Sequence, residues 1–319
     1  MKAAISLAGL YPLYNRDFER LLDTVRMMDE AGIDQLVASE HVLMSERLDQ
    51  YPYGEMPAPI DFDWFDPLVL LSAVAATTRR VRLSTGILVA PLRPAAILAK
   101  ELATLDHLSR GRLDIGVGVG WQTAEFDACG VPFEGRFGRL EEVVRICQTL
   151  WRDAPASFSG KSASFDRVWS VPFPVQKGGI PVWFGLAPTE RNLARIVELG
   201  QGWLPYYGIA IQPSDLTQAR DESRPMFTME RFAQDAARLR QACEERGRDP
   251  STLHVRLMAP TQFGADGKPD LERTLDQIPE LRKAGATMVE ISPMLFCRSI
   301  DEIKPFTERV VRACEEAGS

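Results

Sequence analysis

A single parallel (β/α)8 barrel is the fold class that this sequence predicts, and three observations predict it. Helices pass into strands through very short turns, at Ala31-Gly32-Ile33-Asp34, Leu199-Gly200-Gln201-Gly202 and Ala284-Gly285-Ala286-Thr287. Eight strand-then-helix units can be counted along the 319 residues, near the size of such a barrel with insertions. The long loops all follow strands, which places them together at one end. They span about 42–65, 153–179 and 205–227, after strands two, four and six, and read as insertions into one domain covering 1–319. A doubly wound open sheet is the alternative, and it needs a phosphate-binding Gly-x-Gly-x-x-Gly turn. Read from Gly116 or from Gly118 that pattern fails, because Trp121 and Thr123 stand where its last glycine belongs.

Residues 2–8 read as the first strand, ended by Gly9. Phe18, Leu21, Leu22, Val25 and Met28 recur at helical spacing, with Gly32 placed as the terminator. The second strand, Gln35–Ala38, runs into Ser39-Glu40-His41 and a proline- and aromatic-rich loop; loops of that length in compact domains are usually functional. Asp66-Pro67 is a helix start, a capping side chain followed by proline at the first helical position. Strand three spans 81–89. Pro94 opens a helix with Ile97, Leu98, Leu102, Leu105 and Leu108 on one face, closing at Gly111. Strand four, 112–118, carries glycines at 116, 118 and 120 before Trp121, and glycine within a strand marks a close approach of backbone or ligand. A short helix near 123–129 precedes a longer one from Arg136, and 153–179 suits an inserted hairpin. Strands at 180–185, 202–204, 253–258 and 286–291 alternate with helices at 189–199, 228–246 and 270–283. Ser299-Ile300-Asp301-Glu302 is a capping-box signature for the last helix.

Composition narrows the function. Hydrophobic residues make up 45% and charged ones 25%, average for a globular chain, so a sizeable core is available. A net charge of −7 argues against a nucleic-acid or anionic-membrane surface. Five widely spaced cysteines and three histidines form neither a disulfide framework nor a zinc motif. The first residues read as a strand rather than a signal sequence, and no apolar run reaches membrane-span length. The expectation is a soluble, cytoplasmic protein.

In a barrel, residues at the C-terminal ends of strands face the active-site mouth. Here they include Glu40, His41, Gly86, Ile87, Leu88, Gly118, Gly120, Trp121, Gly185, Leu186 and Trp203. This mouth holds no carboxylate pair suited to glycoside hydrolysis, no metal triad and no nucleophile motif. A flat, apolar cofactor with its own reactivity fits the inventory. His41 precedes the aromatic loop and is the candidate for proton handling, with Glu40 orienting it or the loop. Tyr51, Tyr53, Trp64 and Trp203 are candidates for the substrate pocket. His107 lies on a helix away from the mouth, and His254 starts the seventh strand at the far end.

Leu83-Ser84-Thr85-Gly86-Ile87-Leu88-Val89-Ala90-Pro91, Leu98-Ala99-Lys100-Glu101-Leu102-Ala103-Thr104-Leu105-Asp106 and Gly111-Arg112-Leu113-Asp114-Ile115-Gly116-Val117-Gly118-Val119-Gly120-Trp121 resemble the luciferase-like monooxygenase family. The match is closest to its branch using the deazaflavin coenzyme F420, and Glu125–Phe133 and Gly200–Trp203 extend it. The resemblance implies a (β/α)8 TIM barrel of the bacterial-luciferase-like type. It implies a cofactor ring against a bulge at Gly86, Ile87 and Leu88, with a non-proline cis peptide at Gly86–Ile87. It also implies ring and chain contacts at Gly118, Gly120 and Trp121, and phosphate contacts at Gly185, Leu186, Ala187, Thr189 and Arg191. Helix N-terminal amides suit a phosphate. The family's common Gly-Gly-x-Ser is replaced here by Gly185-Leu186-Ala187-Pro188-Thr189, in which proline removes one amide donor. A homodimer through the helices around 66–110 is a further implication.

The expected function is F420-dependent hydride transfer to or from a small hydrophobic or cyclic organic substrate, with His41 moving the proton. The alternatives are an FMN-dependent monooxygenase using reduced flavin and oxygen, and a non-catalytic flavin- or deazaflavin-binding protein.

Overall fold

The computed structural model describes residues 1–53, 56–208 and 227–318. Eight parallel strands close into a barrel: β1 (Lys2–Ser6), β2 (Gln35–Ala38), β3 (Arg82–Thr85), β4 (Leu113–Gly118), β5 (Val182–Phe184), β6 (Gly202–Trp203), β7 (His254–Met258) and β8 (Met288–Ile291). Each pairs with its neighbour in sequence, and β8 pairs with β1 to complete the ring. The barrel predicted from the short helix-to-strand turns is therefore the fold observed. An antiparallel hairpin, Ala156–Ser159 with Ser164–Val168, occupies the insertion after β4. Most of the insertion expected at 205–227 lies outside the described residues. No helix among the described residues is long and apolar enough to cross a membrane.

The outer layer comprises α1 (Phe18–Ala31), α2 (Pro67–Thr77), α3 (Ala95–Ser109), α4 (Thr123–Ala128), α5 (Arg136–Arg152), α6 (Glu190–Leu199), α7 (Met229–Glu244), α8 (Leu271–Leu275), α9 (Ile278–Ala284), α10 (Pro293–Phe296) and α11 (Ile303–Gly318). Asp66 caps α2 as its sequence suggests, accepting from the Leu68 and Val69 amides at 2.9 and 3.0 Å. Gly32 ends α1 with φ +96°, a left-handed turn that glycine adopts without a Cβ penalty. Two expectations change. The helix read as 270–283 is two helices, because Pro279 lacks the amide that would bond back into α8. At the last helix Ser299 makes no capping bond, and Glu302 instead accepts from the Arg298 amide at 2.6 Å.

Strand residues alternate between two cores. Ile5, Leu36, Leu83, Ile115 and Val117 pack outward against the helices, whereas Ala4, Val37, Trp183, Leu204 and Met288 form a separate apolar cluster with Ile87. Polar side chains share the interior. Arg82 binds Asp114 at 2.6 Å, Gln35 donates to Asp114 at 2.8 Å, and buried Arg256 lies 3.0 Å from Glu290 and donates to Gln35. The interior is thus filled, and the site has to lie at its mouth.

Candidate active site

The third strand, expected to run unbroken over 81–89, stops at Thr85 and resumes as a two-residue strand at Leu88–Val89. Between them the Gly86–Ile87 peptide is cis. Arg256 supports this bulge from within the barrel, donating to the Thr85 carbonyl at 3.3 Å. Glycines at the ends of the fourth and fifth strands are its mould. A Cβ on Gly118 would lie 2.7 Å from the Ile87 Cδ1, one on Gly185 2.6 Å from the Ile87 Cγ2, and one on Gly120 2.7 Å from Val89. Gly118, Gly120 and Gly185 therefore make room first for side chains of the bulged strand, and it is half-buried Ile87 that covers this wall.

This geometry predicts that Gly118→Ala destabilises the chain by about 1–3 kcal/mol through overpacking. Ile87→Val, which removes the opposing Cδ1, is expected to recover most of that loss. Urea denaturation of the single and double variants checks the pair; independent, additive effects would contradict the contact.

His41, immediately after β2, is held by residues from the segment after β4. Gln122 is oriented by two backbone groups: its Oε1 accepts from the Ser45 amide at 2.9 Å and its Nε2 donates to the Leu43 carbonyl at 3.2 Å. This sets the amide nitrogen 3.0 Å from His41 Nδ1. Glu125 Oε1 lies 3.2 Å from the same ring nitrogen and accepts from the Val42 amide at 2.8 Å. Gln122 supplies a donor to an unprotonated Nδ1, and Glu125 an acceptor for a protonated one. Nδ1 is therefore held whether or not it carries a proton, and Nε2 keeps no hydrogen-bond partner among the described residues.

Aromatic rings surround it. Trp64 and Trp121 approach the imidazole edge-on at 4.8 and 5.7 Å, and Tyr51 packs edge-on against Trp121 at 5.3 Å. Tyr53 meets Tyr206 at 4.6 Å, and the Tyr51 and Tyr206 hydroxyls are 2.6 Å apart. The Trp64 indole N–H is buried without a hydrogen-bond partner, as is Glu125 Oε2. Of the residues singled out by sequence, Trp64 and Trp121 thus meet His41, and Tyr51 and Tyr53 join the cluster through Trp121.

The luciferase-like monooxygenase family model matches residues 4–225. This chain belongs to that family. A relative from Mycobacterium tuberculosis, described as an uncharacterized protein, is 41% identical over 183 residues, covering 56% of this chain and 64% of its own length. The chain thus spans less than two thirds of that relative. The F420-dependent glucose-6-phosphate dehydrogenase of Nocardia farcinica is 24% identical over 307 residues, 90% of this chain and 84% of that protein. The crystal structure of monooxygenase RslO1 from Streptomyces bottropensis superposes with a TM-score of 0.75 at 20% identity, covering 100% of both chains. The fold shared with that structure is the luciferase-like barrel.

Two site expectations are corrected within this luciferase-like barrel. Glu40 does not orient His41. Its buried carboxylate accepts from the Val89 amide at 2.6 Å and pairs with Arg93, fastening the strand beyond the bulge. Burial pushes the Glu40 carboxyl up, with Arg93 opposing the shift. Trp203 does not line the mouth: it is fully buried in the outer core, its indole donating to the Leu186 carbonyl at 2.9 Å. Alternation on β6 turns Gly202 and Leu204 inward and Trp203 outward. At the end of β5, Thr189 caps α6 by accepting from the Asn192 amide at 3.3 Å, and Ala187, Thr189 and Arg191 are exposed while Leu186 is buried. Leu88 is buried in the core as well. Gln122, Glu125, Tyr206 and Arg256 were missed by sequence reading. A carboxylate and an amide three residues apart at the start of a helix leaving the mouth were the available signal for the first two.

Proposed function

We propose that this protein is an F420-dependent oxidoreductase, transferring a hydride between the deazaflavin and a small hydrophobic or cyclic organic substrate. The observation that carries the reading is His41, held at Nδ1 by Gln122 and Glu125, with Nε2 unpartnered among aromatic rings. Hydride transfer at a carbon–oxygen bond needs a proton moved on or off oxygen, and a positioned imidazole suits that task. The 24% identity over 90% of the chain to a protein named as an F420-dependent dehydrogenase points the same way.

The chain's residues fit the cofactor on their own chemistry. Ile87, seated over Gly118 and Gly185, offers an apolar floor beside the bulge, and the unpartnered Trp64 indole offers a donor. Gly86, Ile87, Gly120 and Trp121 would hold the ring, and the amides at the start of α6 with Thr189 and Arg191 its phosphate, since helix N-termini favour anions. When bound, the deazaflavin supplies the hydride chemistry; His41 exchanges the proton through Nε2, and Trp64, Trp121 and Tyr51 keep water from the reacting oxygen. We assign the active form as a homodimer, on whose α2–α3 face Val69 and Ile97 are exposed.

Titrating the purified protein with F420 and with FMN, while following tryptophan fluorescence, tests the reading. Trp64 and Trp121 adjoin His41, so F420 is expected to quench emission and to bind more tightly than FMN. Tighter FMN binding, with oxygen consumption on adding a flavin reductase, would make it a monooxygenase instead. Tight F420 binding without turnover on any ketone, enone or alcohol would leave a binding protein.

A further inference from the structure

The substrate-facing wall carries a polar feature that the hydride-transfer reading does not use. The Tyr51 and Tyr206 hydroxyl oxygens are 2.6 Å apart, and neither makes another hydrogen bond among the described residues. Two phenols hold two protons, and their mutual bond uses one. The other points to an acceptor outside the pair, because a phenol hydroxyl shielded from water normally finds a partner. The pair is joined to the imidazole by one continuous aromatic surface, through the edge contacts of Tyr51 with Trp121 and of Trp121 with His41. We propose that the Tyr51–Tyr206 pair is a recognition site for a neutral carbonyl oxygen, so that the substrate class is an uncharged ketone or enone.

The proposal rests on the mouth around His41 being the active site. Charge decides for a neutral oxygen over a carboxylate or phosphate. Burial pushes both phenols up, so they stay protonated donors, and at Tyr206 the Glu290 carboxylate acts in the same direction. Neutral phenols beside a buried carboxylate offer nothing to balance an anion there. The nearby described cations are already engaged, Arg256 with Glu290 and Arg93 with Glu40 and Asp66. Neither guanidinium is therefore free to neutralise an anionic ligand at this wall.

Cyclohexanone and methylenecyclohexane differ by one oxygen at nearly constant shape, and their binding to the full chain can be followed by tryptophan fluorescence. The wild type is expected to prefer the ketone. Tyr51→Phe and Tyr206→Phe should each cut that preference by about threefold to tenfold, the range of one neutral hydrogen bond, and the double variant should abolish it. Methylenecyclohexane affinity should stay within about twofold, which separates loss of a hydroxyl from loss of the pocket. A ketone preference absent from the wild type, or intact in the double variant, overturns the proposal, as does benzoate binding as tightly as cyclohexanone. F420 titration of the same proteins keeps the two readings apart. Loss of the ketone preference in variants that still bind F420 supports both. A tyrosine-dependent preference in a chain that binds no F420 supports the recognition site and removes the cofactor reading.

Discussion

His41→Gln is expected to lower turnover by about 10²–10⁴-fold, the range of a positioned general acid–base group, while F420 affinity stays within about threefold. The size of the effect follows from the absence of a substitute. His107 sits on α3, bonded to the Phe173 carbonyl at 2.8 Å, and His254 stacks on Trp183 at the start of β7. Neither adjoins the ring formed by Trp64, Trp121 and Tyr51. The glutamine amide preserves polarity and approximate length but cannot shuttle a proton at neutral pH. Steady-state kinetics beside a fluorescence titration separate the two roles. Turnover at the wild-type level would remove His41 from the chemistry, whereas a parallel loss of F420 binding would reassign it to holding the cofactor.

Gly116→Ala is the substitution expected to damage the fold most. Its Cβ would be driven into the Thr85 carbonyl oxygen and to 2.8 Å from the Leu204 Cδ1. The first obstacle is backbone, pinned by the Thr85 hydroxyl donating to the Gly116 carbonyl at 2.6 Å. Side chains can rotate away from an added methyl, whereas this carbonyl belongs to the strand that forms the bulge. Overpacking at the upper end of the usual range, about 3 kcal/mol, follows, lowering Tm by roughly 4–5 °C for a chain of this length. Gly138→Ala is the control. It lies inside α5 with open space around it and an ordinary helical φ, so alanine should be neutral or mildly stabilising. Equal melting temperatures for Gly116→Ala and wild type would remove the reading of the glycine run as a mould for the bulge.

Much of this architecture was legible. The order of strands and helices, the caps at Asp66 and Gly32, and the hairpin after β4 follow from periodicity and local turn chemistry. So did the convergence of His41 with the aromatic loop, because barrel connectivity sends every strand end to one mouth. The glycine run was read as a place of close approach for backbone or ligand, but nothing local says that the side chains of Ile87 and Val89 fill it. Trp203 was misplaced for a different reason. On a strand as short as Gly202–Trp203, one residue of alternation decides whether an indole faces the mouth or the helices, and apolar residues flank it on both sides.

The sequence by itself determined the elements, their parallel closure and the positions where backbone must pass close to other groups. These are written in short-range signals: spacing of apolar residues, capping side chains and glycines. Only the tertiary structure decided who holds whom. His41 meets Gln122 and Glu125 across 81 and 84 residues, Tyr51 meets Tyr206 across 155, and Arg256 reaches Gln35 across 221. Such pairings exist because barrel closure brings distant strand ends together, and a donor's choice among several acceptors is settled by ångström-scale geometry that no local pattern encodes.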